Sequence, residues 1–232
     1  MNWNRRSFLT RGAAALGALG TVAALSPAAE AQLVFQQTDW KSAEFTALLK
    51  HAARAKQVFD VRAIGEGKFL NGMKNTLNGF QFGFGIAPTS IKVVAALHGP
   101  ANLLNFSDAM WEKYPLGRFV QVNDPKTGKP AARNIYLHKT ANTSTDLNDR
   151  ASIYQDSTIE ALQHRGVQFL SCHNATEEVV RGMVAQASLK TPVDEIVHDL
   201  QAHTVPGVLV VPAMVSAISL LQSEGHFTYI AS

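Results

Sequence analysis

The pattern of apolar and polar positions changes character three times along the chain. From Ser42 to Lys56, Phe45, Leu48, Leu49, Ala52 and Ala53 recur at helical spacing with basic residues on the other side, which predicts an amphipathic helix. "QVFDV" (residues 57–61) predicts a short strand. Gly67 to Asn78, with Leu70, Met73 and Leu77, predicts a second helix. "GFQFGFGIAP" alternates aromatic and small residues and is expected to be a loop or an edge strand; its glycines lack the spacing and the lysine of a phosphate loop. Ile91 to Leu97 is almost wholly apolar, as in a strand covered on both faces. Asn102 to Tyr114 reads as a broken helix, with Ser107 and Asp108 able to cap its second half.

Leu116 to Asp149 differs. "RFVQVNDPKTGKPAARNIYLHK" predicts two strands joined by an Asp-Pro-Lys-Thr-Gly turn, and "TANTSTDLND" is polar, so residues 116–149 are expected to form a hairpin or lid inserted in the domain. After that the alternation becomes regular. Ser157 and Glu160 form a capping-box pair ahead of a helix that Gly166 ends. Residues 167–171 predict a strand, Asn174 or Thr176 the start of a helix, and Thr191-Pro192 the start of another. Residues 208–211 predict a further strand, Pro212 to Gly225 a helix, and "FTYI" a last strand. Strands alternating with helices predict an α/β fold with a parallel sheet covered on both faces, where working groups gather at the carboxyl ends of the strands.

The first 31 residues belong to a different category. Arg5 and Arg6 precede Ser-Phe-Leu, Ala13 to Leu25 is a mild apolar run too short to span a bilayer, and Ala29-Glu30-Ala31 offers a cleavage site. Together they predict a twin-arginine signal, export in the folded state to the periplasm, and one mature α/β domain over residues 32–232. Removing the signal's three arginines and one glutamate takes 21 basic and 18 acidic residues to 18 and 17. The mature chain is then nearly neutral, so neither a nucleic-acid partner nor, after cleavage, a membrane is expected.

A single cysteine excludes an internal disulfide framework. Cys172 falls at a strand exit just before a helix, where free amides and the helix dipole would favour a thiolate. His173 follows it, and Asn174 completes the step. His98, with Gly99 and Pro100, ends another strand, and if the two strands are neighbours His98 and Cys172 open on one edge of the sheet. The bland alternatives are a locally bonded His98 and a buried, inert Cys172. His138, His164, His198 and His203 sit on polar stretches, Asp194, Glu195 and Asp199 look like a solvated helix face, and Trp40 and Trp111 like packing residues. Hydrolase elbows, zinc motifs and Cys-x-x-Cys pairs are absent from the sequence.

"IKVVAALHGP", "GVQFLSCHNATEE" and "GVLVVPAMVSAISLLQSEGHFTYI" follow one another in an order and spacing that resembles the DsrE/DsrF-like family of sulfur-relay proteins. The likeness runs from about Ser90 to Ile230, interrupted by residues 116–149. It implies a flavodoxin-like three-layer α/β/α sandwich, assembly into trimers or hexamers, and a persulfide carried on the strand-exit cysteine, here Cys172, between a sulfur donor and an acceptor protein. His98, Gly99, His173 and Asn174 are then the expected binding residues, with no cofactor and no metal. The rival expectations are a metal or haem site using Cys172 with His98 or His173, and an inert oligomeric binding protein.

Overall fold

A computed structural model of the protein describes residues 34–232; Arg5, Arg6, Ala29 and Ala31, on which the predicted signal rests, lie outside that range. The first described α-helix is α1 (Ser42–Leu49), shorter than its periodicity suggests because β1 (Ala55–Val61) begins soon afterwards. Next come α2 (Lys68–Asn78) and β2 (Ile91–Leu97), then the short α3 (Asp108–Lys113) and α4 (Leu116–Phe119). The regular second half follows: α5 (Ile159–His164), β3 (Gln168–Cys172), α6 (His173–Ala187), α7 (Val193–Ala202), β4 (Leu209–Val211), α8 (Met214–Ser223) and β5 (Thr228–Ala231).

The five strands form one all-parallel sheet in the order β4-β3-β2-β1-β5. Side chains of a strand alternate between faces, and both faces here are apolar. Phe59, Val61, Val93, Ala95, Leu97 and Phe169 pack under α2, α5, α6 and α7, while Val58, Val94, Ala96, Leu170 and Val211 pack under α1 and α8. That double coverage explains why β2 reads as a continuous apolar run. The result is a three-layer α/β/α sandwich. Its sheet has the flavodoxin arrangement 2-1-3-4-5, except that the strand outside β1 is the last in the chain rather than the second.

The crossovers from β1 to β4 all pack on one face, whereas α8, which returns the chain from β4 to β5, packs on the other. Helices leaving the neighbouring strands β3 and β4 therefore diverge to opposite sides. This opens a crevice at the carboxyl ends of those strands, the usual position of a site in open α/β sheets.

Several local expectations are corrected. Residues 116–149 hold no two-stranded hairpin: α4 replaces the first strand, and a single bridge joins Asn123 to Pro130. The Asp124 carboxylate bonds the Lys126 amide and Arg133 (2.8 and 3.0 Å) and closes the turn locally. Gly117 lies so close to Ala131 that a Cβ would overlap its backbone, which pins the segment to α4 without a ladder. Residues 79–83 form a wide helical turn continuing α2, neither a loop nor an edge strand. The cap of α5 is Thr158, whose hydroxyl accepts the Ala161 amide, and not Ser157; Glu160 instead bonds the Lys139 amide and His138. Pro192 itself is the cap of α7. Asp199 bonds Lys113 and Tyr114 (2.7 and 2.6 Å), and His138 bridges Asp108 and Glu160, so neither is merely solvated.

Candidate functional site

β3 ends at Cys172 and α6 begins at the next residue, with Cys172 as its cap. The sequence suggests Asn174 or Thr176 for that role because polar side chains are the common caps. Here the sulfur does the work: Sγ accepts the Ala175 amide at 3.4 Å. It also accepts the Met214 amide, the first residue of α8, at 3.3 Å. The sulfur thus sits between the amino ends of the two diverging helices, each with its partial positive charge.

Cys172 is 4 % exposed, yet it borders an open pocket of about 460 Å³ at the crevice, shared with Arg62, His98, Gly99, Asn174, Glu178 and Met214. The two strand-exit residues, His98 of β2 and Cys172 of β3, therefore do face one cavity. Gly99 is needed structurally: its φ is +54° and a Cβ would come within 3.1 Å of the Arg62 carbonyl oxygen. His173 goes elsewhere. It is 5 % exposed, its ring stacks on Phe35 with centroids 4.4 Å apart, and Nδ1 meets the Gln201 amide at 2.7 Å, so it does not line the pocket.

Burial pushes the Cys172 thiol above its ordinary value; the amides of Ala175, Met214 and Asn174 pull the other way, and the nearby Glu178 adds to the rise. The thiolate expected from the helix dipole is overturned, because desolvation of a buried sulfur outweighs the amide donors. At neutral pH the resting group is a thiol.

Sequence reasoning missed four residues. Asp60, 5 % exposed near the end of β1, receives His98 Nε2 at 2.5 Å and the Tyr229 hydroxyl at 2.7 Å, with Arg62 Nη2 at 3.5 Å. Burial acts to raise its pKa, but the bonds from Tyr229 and His98 and the charges of His98 and Arg62 prevail and hold the carboxyl below its usual range. An ionised carboxylate only accepts, so Nε2 is assigned the proton and in the neutral ring Nδ1 carries the lone pair. The available signal was "FDVR": charged residues at the exit of an apolar strand, as with His98. The fourth is Asn102. Wholly buried, it donates to the Cys172 carbonyl and Thr176 hydroxyl (3.3 and 2.8 Å) and accepts from the Cys172 amide and Ser171 hydroxyl (2.9 and 3.0 Å). It fixes the backbone that carries the sulfur.

Among the described residues, no group of three or more His, Cys, Asp or Glu side chains is placed to hold a metal, and no helix is long and apolar enough to cross a membrane. Comparison of the chain with known protein families, with curated proteins and with solved structures finds no match. A functional reading therefore rests on this geometry and on the sequence.

Proposed function

We propose that the protein is a periplasmic sulfur carrier in which Cys172 takes sulfane sulfur from a donor and passes it to an acceptor thiol. The observation that carries this reading is the Cys172 sulfur lying between two helix amino ends and bordering a pocket that also holds Arg62 and the Asp60-braced His98. The pocket can hold an anionic sulfur compound through the Arg62 guanidinium, which it shares with Asp60, and the helix amides at Cys172, against the carboxylate of Glu178.

The chemistry is a pair of displacements. The Cys172 thiol first gives up its proton, for which His98 Nδ1 is the base the pocket offers. With thiosulfate as donor, the thiolate attacks the outer sulfur; the new S–S bond forms as the old one breaks, and sulfite leaves with that bond's electron pair. The inner sulfur keeps the amides of Ala175 and Met214, and the anionic outer sulfur extends into the pocket. An acceptor thiolate attacks that outer sulfur once it is protonated, takes it as a new persulfide, and regenerates the Cys172 thiolate. The predicted twin-arginine signal supports a periplasmic location, and the family likeness supports a homo-oligomer, trimer or hexamer, with protein donors and acceptors.

A second reading is favoured by the same burial: Cys172 packs with Ala175, Val211 and Met214 as a small apolar residue and has no chemistry. Mass spectrometry of the intact protein after incubation with thiosulfate or polysulfide separates the two. The carrier gains sulfur that dithiothreitol removes and that Cys172→Ser does not acquire. Unchanged mass in the wild type leaves the packing role.

A further inference from the structure

The near-neutral total of residues 32–232 hides an uneven distribution of charge. The segments that lead into the five parallel strands all lie at the amino-terminal edge of the sheet, the far end of the strands from Cys172. Those segments and the first turns of the strands carry Lys50, Arg54, Lys56, Lys92 and the buried Arg165, against the single carboxylate of Glu224. Counting Asp146, Asp149 and Arg150, from the segment that meets the end of α2 at Tyr154, still leaves an excess of positive charge. Lys56 and Lys92 are register partners on β1 and β2, so their side chains leave one face of the sheet side by side. Like charges placed so are destabilising. Each ammonium bonds a carbonyl oxygen, that of Leu49 at 3.3 Å and that of Gly166 at 3.1 Å, which leaves the charge uncompensated. Among the described residues, none of Lys50, Arg54, Lys56 and Lys92 has a carboxylate at ion-pair distance. Burial, and then the charges of Lys92 and Lys56, depress the pKa of His51, which sits in the same field.

Apolar side chains are exposed at this edge too. An open pocket of about 630 Å³ joins His51, Arg54 and Lys56 to Phe80 and Ile86. The turn between those two apolar residues is fixed by its backbone: the Phe84 amide donates to the Gly79 carbonyl and the Ile86 amide to the Phe80 carbonyl, both at 2.9 Å. It holds Phe84 outward, 75 % exposed, with open space beside Gly83 and Gly85. Phe82 rests edge-on against Tyr154, with centroids 4.9 Å apart, and Ile153 shares a cavity with Gln81 and Pro88. Three of the eight large apolar side chains exposed among the described residues, Phe82, Phe84 and Ile153, thus belong to this turn or border it. Scattered singly, such groups are normal; beside unpaired cations they make an amphipathic face.

We propose that the amino-terminal edge of the sheet docks on an anionic lipid surface, with Phe84 below the headgroups, Lys50, Arg54 and Lys56 against the phosphates, and Lys92 adding to the field. Charge complementarity and apolar area together select this occupant, because a bilayer answers both. An acidic soluble polymer would answer the charges and leave Phe84 in water. Docking here turns the Cys172 crevice away from the lipid and is independent of any sulfur chemistry there.

Since Cys172 is the single cysteine, a full chain carrying Cys172→Ser takes one nitroxide label at Phe84→Cys or, near the opposite edge of the sheet, at Lys68→Cys. Both positions are exposed, so the label does not disturb the core. On vesicles of mixed phosphatidylglycerol and phosphatidylcholine, the label at position 84 becomes accessible to oxygen and shielded from a water-soluble nickel complex, while the label at position 68 stays aqueous. Vesicles of phosphatidylcholine alone leave both aqueous. Lys50→Glu with Arg54→Glu cuts the immersed fraction at position 84 at least about fivefold, since each Lys or Arg near an anionic surface strengthens binding by about that factor. The proposal is overturned if position 84 stays aqueous on anionic vesicles, as it would were an acidic protein the partner. It is overturned equally if neutral vesicles immerse position 84 as deeply, if position 68 is immersed alongside it, or if the two charge reversals change nothing.

Discussion

Asn102→Ala tests the claim that one buried amide positions the cysteine. The side chain makes five hydrogen bonds, to Cys172 O, Cys172 N, Ser171 Oγ, Thr176 Oγ1 and Asn105 Nδ2. Some partners survive its loss: Thr176 still donates to the Cys172 carbonyl at 2.9 Å, and Asn105 still reaches the Leu170 carbonyl at 3.1 Å. The Cys172 amide and the Ser171 hydroxyl do not; both are buried and lose the one acceptor found for each. Each orphaned group costs about 1–3 kcal/mol, so the variant should lose roughly 2–6 kcal/mol. A typical domain has only about 5–15 kcal/mol to lose. Urea unfolding at pH 7 reads this as a lower midpoint at unchanged slope. Water entering the vacated space would satisfy both groups and give the low end of the range. Adding Ser171→Ala to the variant removes one orphan and should recover about 1 kcal/mol. Stability within about 1 kcal/mol of the wild type, or a double variant less stable than Asn102→Ala, would refute the network.

Two further outcomes follow from the titrating groups. Because Cys172 is the single cysteine, iodoacetamide labelling reports it alone, and the rate should climb through a pH above the ~8.5 of a free thiol; Glu178→Gln should move that inflection down, and a plateau already reached below about pH 8 contradicts the buried thiol. Asp60→Asn should cost roughly 1.5–3 kcal/mol at pH 7, the usual worth of hydrogen bonds to a charged group. The carboxyl's folded pKa is lowered, so its stabilisation is present above the unfolded value of ~3.9 and fades as pH falls through the folded one. Urea midpoints for the two proteins should therefore converge in acid, and a gap that widens there would refute the pairing.

How far the sequence could be read depended on whether a feature was local. β2 was legible because a strand buried on both faces needs only apolar residues, and "IKVVAAL" supplies them. The shared edge of His98 and Cys172 was legible too, since parallel strands bring their exits together whatever lies between them. Asp60 and Arg62 carry the same signal, charge at the end of an apolar strand, but what makes them part of the site is contact with His98 and Tyr229, 38 and 169 residues from Asp60. Asn102 had no local signal: its partners at Ser171, Cys172 and Thr176 lie 69–74 residues away. The turn at Asp124 looked like a hairpin because turn residues say where a chain reverses, not whether the arms pair. His173 looked like a partner for Cys172 because it is adjacent, yet its ring stacks on Phe35.

The cysteine's ionisation shows the same limit most sharply. A helix amino end beside a thiol is visible in a sequence, and it argues for a thiolate. The counterweight is the amino end of α8, which arrives 42 residues later and closes over the sulfur. That contact adds a second amide donor and at the same time removes water, and burial wins. The two effects separate once a second sulfur is attached. An S–S bond extends the side chain by about 2 Å, toward the pocket that Cys172 already borders. The outer sulfur would leave the buried seat while the inner one kept its amides. In this arrangement the resting thiol is protected from casual oxidants, and the sulfur that must be handed on is the one solvent and an acceptor can reach. Labelling should then split: an electrophile that traps persulfides should react faster with sulfur-loaded protein at pH 7 than iodoacetamide does with the empty form. Equal rates would mean that the added sulfur gains no access, and the pocket would lose its part in the transfer.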